Sequence, residues 1–167
     1  NSDEKLFIDR LKKYCDDNPS AFIEKRLYLL RNKSKAGIGF FEAGNFYPDF
    51  IMWIAEDDKQ YITFIDPKGI MMLEKNINNP KIQFYKTIKE KEAQLQPTCT
   101  EKQIILNSFI MSGTPAADAS SHFGVKRPEF ESRNVLFLED DDCIEKMMSK
   151  ICLECSKPAS MERHGAK

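Results

Sequence analysis

The sequence predicts a mixed α/β fold, a central β-sheet flanked by helices. Three patterns carry that prediction: helix-spaced apolar residues at the amino end, two adjacent apolar segments that read as a hairpin, and a later alternation of helical and strand-like stretches. With 167 residues, 41% hydrophobic and 31% charged, the chain is the size of one domain with one core, expected over 1–156. Its composition excludes collagenous and wholly disordered classes. No apolar run reaches the roughly 18–20 residues that cross a bilayer. Asn1 to Lys5 has neither a starting Met nor the basic and apolar regions of a secretory signal, so the chain is expected to be cut from a longer one. A formal net charge of −1 creates no global field for nucleic acid or membrane, and any such partner must be met by a local patch. Cys15, Cys99, Cys143, Cys152 and Cys155 are an odd number in a domain large enough to need no staples. They point to free thiols and hence the cytoplasm.

Taken in order, residues 2–16 place Leu6, Phe7, Ile8, Leu11, Tyr14 and Cys15 at helical spacing, with positions 4, 8, 11 and 15 as one stripe. Asn18-Pro19-Ser20 ends that helix. Arg26 to Arg31 fits a strand or a short helix, since four consecutive apolar residues have no decisive period. Ile38 to Phe41 reads as an extended aromatic run before the turn Ala43-Gly44-Asn45. Asp49–Ile54 and Tyr61–Asp66 then form the hairpin, apolar at nearly every position, which suits central strands covered on both faces. Asn79 as N-cap, Pro80 at the first position and Ile82, Tyr85 and Ile88 predict a helix. Ile104 to Met111 reads as a strand, Ser112 to Arg133 as a long loop, and Val135 to Leu138 as a strand. A last helix follows Asp140–Asp142, whose carboxylates suit a helix start. The stretch 157–167 is expected to be a disordered tail.

A hairpin symmetric about Asp57-Asp58 pairs Ile54 with Tyr61, Met52 with Thr63, Ile51 with Phe64, and Asp49 with Asp66. Two carboxylates then stand opposite each other with Cβ atoms roughly 5 Å apart on an otherwise apolar face. Such a pair must share a proton or gain a counter-charge, and a divalent cation with oxygen ligands supplies one. Period-two alternation returns Lys68 to the same face about 6.6 Å further on. Pro67 between them cannot donate to a ladder but keeps its carbonyl, a further candidate ligand at a strand end. This set can support metal-assisted hydrolysis of a phosphodiester. The alternative is a plain turn, because Asp, Pro, Lys and Gly are all favoured turn residues.

Pro48-Asp49, sixteen residues, then Asp66-Pro67-Lys68 matches the PD-(D/E)-x-K nuclease signature. Together with Tyr28-Leu29-Leu30-Arg31-Asn32, Gly37 to Ala43, Phe46 to Trp53 and Phe64 to Ile70, it resembles the C-terminal endonuclease domain of type III restriction enzyme Res subunits, over residues 26–70. The resemblance implies a restriction-endonuclease-like core, Mg²⁺ dependence with Mn²⁺ able to substitute, and cleavage of double-stranded DNA. It gives Asp49 and Asp66 metal-ligand roles and Lys68 the catalytic one. It also implies an upstream helicase-like ATPase domain, ATP being needed only through it, and a methyltransferase partner subunit. Two rivals stand beside it: a catalytically silent DNA-binding or docking module, and a stand-alone resolvase-like nuclease.

Further candidates surround this core. Glu4, on the first helix, is either a third metal ligand or the third-position acid of a capping box begun by Asn1. Glu42 is a second acidic candidate, and Gln83 and Lys86 on the helix after the hairpin face either DNA or water. Lys25, Arg26, Arg31, Lys33 and Lys35, with Tyr28 among them, form a basic patch for DNA phosphates or a solvated loop. Cys152-Leu-Glu-Cys155 lacks the second pair of a structural zinc site and reads as core. His122 and His164 have no nucleophile arranged around them.

Overall fold

The computed structural model describes residues 1–33, 35–40, 43–96 and 101–152. One five-stranded sheet runs in the order β1 (Arg26–Arg31), β2 (Phe50–Ala55), β3 (Lys59–Lys68), β4 (Gln103–Ser112) and β5 (Val135–Phe137). β1, β2 and β3 are antiparallel neighbours, whereas β4 and β5 join in parallel. Connection length explains the switch: a tight turn joins β2 to β3, while parallel neighbours need crossovers. These are α2 (Pro80–Leu95) between β3 and β4, and α3 (Ala116–Phe123) with α4 (Arg127–Glu131) between β4 and β5. α1 (Ser2–Asp17) precedes the sheet and α5 (Cys143–Ile151) follows it. The result is a mixed α/β fold with helices on both sides of the sheet.

Each face has its own core. α1 and α5 bring Phe7, Leu11, Met147 and Ile151 against Met52, Ile54, Ile65 and Met111. On the other face, Phe84 and Ile88 of α2 pack on Ile51, Phe64 and Leu106, and Ala119, Phe123 and Phe130 of α3 and α4 on Ile110, Val135 and Phe137. Double coverage is why β2 and β3 read as continuous apolar runs. Their register has Ile54 opposite Tyr61, Met52 opposite Thr63 and Ile51 opposite Phe64, the hairpin expected from the sequence.

Three expectations are corrected. The expected loop 112–133 contains α3 and α4: Ala116, Ala119 and Phe123 form a helical stripe of small and aromatic residues, Gly124 closes α3 at φ +70°, and Pro128 lies in the first turn of α4. Ile38–Phe40 is not a strand. Phe40 makes only an isolated bridge with Phe46, its ring instead lying 4.5 Å from Phe84 and 4.9 Å from Phe64. On α1 the buried stripe is Phe7 and Leu11, with Ile8 left 38% exposed. Position 4 precedes Phe7 by three and Leu11 by seven, so Glu4 remains on the inward stripe even though Ile8 does not.

β5 pairs only with Ile110–Ser112, which leaves the first part of β4 as an edge. α2 shields it with side chains: the Ile104 and Leu106 amides donate to Gln96 Oε1 at 3.1 Å and Glu92 Oε2 at 2.6 Å. Among the described residues no helix is long and apolar enough to cross a membrane. The stretch 157–167, with Cys155, His164 and Glu42, lies outside the described residues.

Candidate active site

The hairpin pairing ends at Phe50 opposite Ile65, and Asp49 lies in the bend just before β2, beside Asp66 of β3. Their carboxyl groups stand close enough to perturb each other's titration. Asp66 is buried at 5% exposure. Asp49 is pushed up to about 7 by burial, then by the charge of Asp66 and the charge of Glu4, with only Lys68 pulling it down. At neutral pH the pair therefore shares a proton for part of the time. Lys68 forms an ion pair with Asp66, and its ammonium lies 5.5 Å from the centre of the Phe46 ring. Two acids and one ammonium thus meet where β3 ends, beside the carboxyl end of its parallel neighbour β4.

Backbone alternation explains the proline. Lys59 O accepts from Glu56 N on the β2 side, and Lys68 O accepts from Gly113 N on the β4 side. Odd-numbered residues of β3 therefore turn their backbone groups toward β2. Pro67 is odd, and β2 pairing has already ended at Ile65. Its missing N–H costs no ladder bond, and its carbonyl is directed to the side on which Asp49 lies.

Glu4 reaches the same place from α1. Arg31 Nη2 donates to Glu4 Oε2 at 2.6 Å, and the amino terminus lies 3.8 Å from Glu4 Oε1. The Asn1 side chain caps the Asp3 amide at 2.7 Å. Glu4 therefore stands near its own helix start and also within electrostatic reach of Asp49. Asp3 is close by as well, since a Cβ built on Gly113 would meet its carboxylate at 2.3 Å.

The basic patch divides. Lys25 pairs with Glu56 at 3.0 Å and Arg31 with Glu4, while Arg26, Lys33 and Lys35 are exposed on β1 and its following loop. Gln83 donates to Ile77 O at 3.2 Å, bracing the approach to its own helix, and Lys86 is exposed. Cys152 is buried in the core shared by α1 and α5.

Two supports had no sequence signal strong enough to single them out. Asn32 Nδ2 donates to Ile38 O at 2.8 Å and Pro48 O at 2.9 Å, while its Oδ1 accepts from Ile38 N at 3.0 Å. It ties Ile38 to Pro48, the residue before Asp49. Thr114 Oγ1 accepts from Ile70 N at 3.1 Å and Ser112 Oγ donates to Thr114 O at 2.9 Å, fixing the exit from Lys68. An Asn before a glycine-containing loop was the only hint of the first.

Among the described residues no group of three or more His, Cys, Asp or Glu stands arranged to hold a metal ion. Mg²⁺, however, commonly takes one or two carboxylates and completes its shell with water and phosphate oxygens. Asp49 and Asp66 supply such a pair, and the raised Asp49 pKa is a charge imbalance that a dication relieves. The residues fit a two-carboxylate site rather than a three-acid cage.

Fold and site together define a mixed α/β protein with an acid pair and a lysine gathered at the end of its central strands. Comparison with protein-family models, curated proteins and solved structures finds no match.

Proposed function

We propose that this chain is a metal-dependent nuclease domain of the PD-(D/E)-x-K type that hydrolyses DNA phosphodiester bonds. The observation that carries the reading is the meeting of Asp49, Asp66 and Lys68 at the end of β3, with burial and the charge of Asp66 pushing Asp49 up to about 7. Asp49 and Asp66 would hold Mg²⁺, with the Pro67 carbonyl as a further ligand. A dication so held lowers the pKa of water and offsets charge on phosphate oxygens. Lys68, released from Asp66 once that carboxylate has another counter-charge, would donate to a phosphate oxygen as negative charge builds on it. Glu4, fixed by Arg31, adds negative potential that favours the cation. Arg26, Lys33 and Lys35 would take DNA phosphates, with Lys25 and Arg31 engaged in the fold.

The type III restriction reading adds an upstream ATPase and a methyltransferase subunit as partners. It rests on the motif blocks in residues 26–70.

A silent DNA-binding module is the second reading, favoured by the Lys68–Asp66 ion pair, which neutralises Asp66 with no metal at all. Nicking of supercoiled plasmid in Mg²⁺ decides between them. Wild type is expected to nick and Asp66→Ala to be inactive; equal background in both retires catalysis.

A further inference from the structure

The amino end of β3 holds a second constellation, remote from the first. Lys59 opens β3 and Lys68 closes it, so the two places lie roughly 30 Å apart along a ten-residue strand. Beside β4, where β5 does not cover the edge, a groove of about 340 Å³ is lined by Lys59, Lys89 and Lys150, by the amide side chains of Gln103 and Asn107, and by an apolar wall that includes Ile151. Its lining has three ammonium groups and no carboxylate. Lys89 leans on Glu92 at 2.9 Å. Lys150 donates only to neutral acceptors, Glu131 O at 2.6 Å and Asn134 Oδ1 at 3.1 Å, and has no ion-paired carboxylate among the described residues.

The floor of the groove carries a second observation. Asn107 is buried at 7% exposure. Its Oδ1 accepts from Lys89 Nζ at 3.4 Å, while its Nδ2 has no hydrogen-bond partner. Thr63 is its register neighbour on β3, fully buried, and Thr63 Oγ1 is also without a partner. Register neighbours on adjacent strands present their side chains to the same face. Two adjacent buried polar groups are thus unsatisfied together, a costly arrangement. Turning the Asn107 amide over exchanges its oxygen and nitrogen. Nδ2 would then stand beside Lys89 Nζ, donor against donor. An acceptor placed between them in the groove would satisfy both donors.

We infer that this groove binds the phosphate group of a small molecule, with Asn107 turning its amide to donate to the phosphate alongside Lys89 and Lys150. The several oxygens of a phosphate group can accept from more than one of these donors, and charge-assisted bonds of this kind are the strong ones. The volume suits a small molecule, and the apolar wall gives an organic body a surface to cover. The site stands independently of the nuclease reading and shares none of its residues.

The test is titration of the full chain with adenosine 5′-monophosphate, inorganic phosphate and adenosine. It is followed by the NMR signals of the Asn107 side-chain amide and by melting temperature. Saturable shifts at Asn107 and a raised melting temperature are expected with the monophosphate. Inorganic phosphate matching it identifies free phosphate as the source, and a weaker response identifies an organic phosphate. Lys150→Gln, at an exposed position, should weaken binding by about tenfold or more, and Asn107→Asp, which replaces the donor by a carboxylate, should abolish it. The inference is overturned if neither phosphate binds saturably, if adenosine binds as well as its monophosphate, or if Lys150→Gln binds like wild type. It is equally overturned if a DNA duplex engages these residues while the monophosphate does not.

Discussion

The two ends of β3 gather different side chains. At its carboxyl end Asp66 and Asp49 stand together within electrostatic reach of Glu4, with Lys68 against Asp66; at its amino end Lys59, Lys89 and Lys150 line one groove. A formal net charge of −1 conceals both. The acid end is incompletely balanced, enough to lift one carboxyl to about 7.

The largest expected effect breaks the acid end. Asp66→Ala and Lys68→Ala should each lower plasmid nicking by at least about 100-fold, measured as loss of supercoiled DNA in Mg²⁺, while the Lys150→Gln protein nicks like wild type. A smaller effect sharpens the part played by Glu4. Glu4→Gln should weaken Mn²⁺ binding by about 10- to 100-fold, as removal of a supporting group does at other metal sites; unchanged affinity would leave Glu4 a helix-start residue paired with Arg31.

Without metal, the acid pair also sets a pH dependence. Asp49 titrates at about 7 in the fold against an ordinary 3.8. Its contribution to stability is therefore fully present below 3.8 and is lost as pH rises through about 7. The melting temperature of metal-free wild type should fall across that window relative to Asp49→Asn. Parallel curves for the two proteins would show that the pair is not strained. The smallest effect concerns the support of the site. Asn32→Ala removes the link between Ile38 and Pro48, with a cost of about 1–3 kcal/mol in chemical denaturation. Nicking should fall with it, through displacement of Asp49.

Much of this comparison was written in the chain, and some was not. The hairpin register followed from the symmetry of two apolar segments about Asp57-Asp58; the pairing ends at Phe50 and Ile65, one residue short of Asp49 and Asp66. Asn79 and Pro80 marked the start of α2 through local chemistry alone. α3 was missed because Ala116 and Ala119 are too small to make a visible apolar stripe; they become informative only once Phe130 and Phe137 are seen to need cover. The α1 stripe was displaced because Phe7 and Ile8 are both apolar, and only packing against Phe50, with ring centres 5.6 Å apart, selects Phe7. Lys25 and Arg31 looked like free cations because Glu56 and Glu4, distant in sequence, become neighbours only across the folded sheet. The lysine groove had no linear signature at all, since its residues come from β3, α2, β4 and α5.

Mn²⁺ titration followed by water proton relaxation tests the acid pair most directly. One saturable site is expected in wild type, lost in both Asp49→Asn and Asp66→Asn and competed away by Mg²⁺. Equal Mn²⁺ binding by wild type and both variants would contradict the assignment of a metal to these two carboxylates.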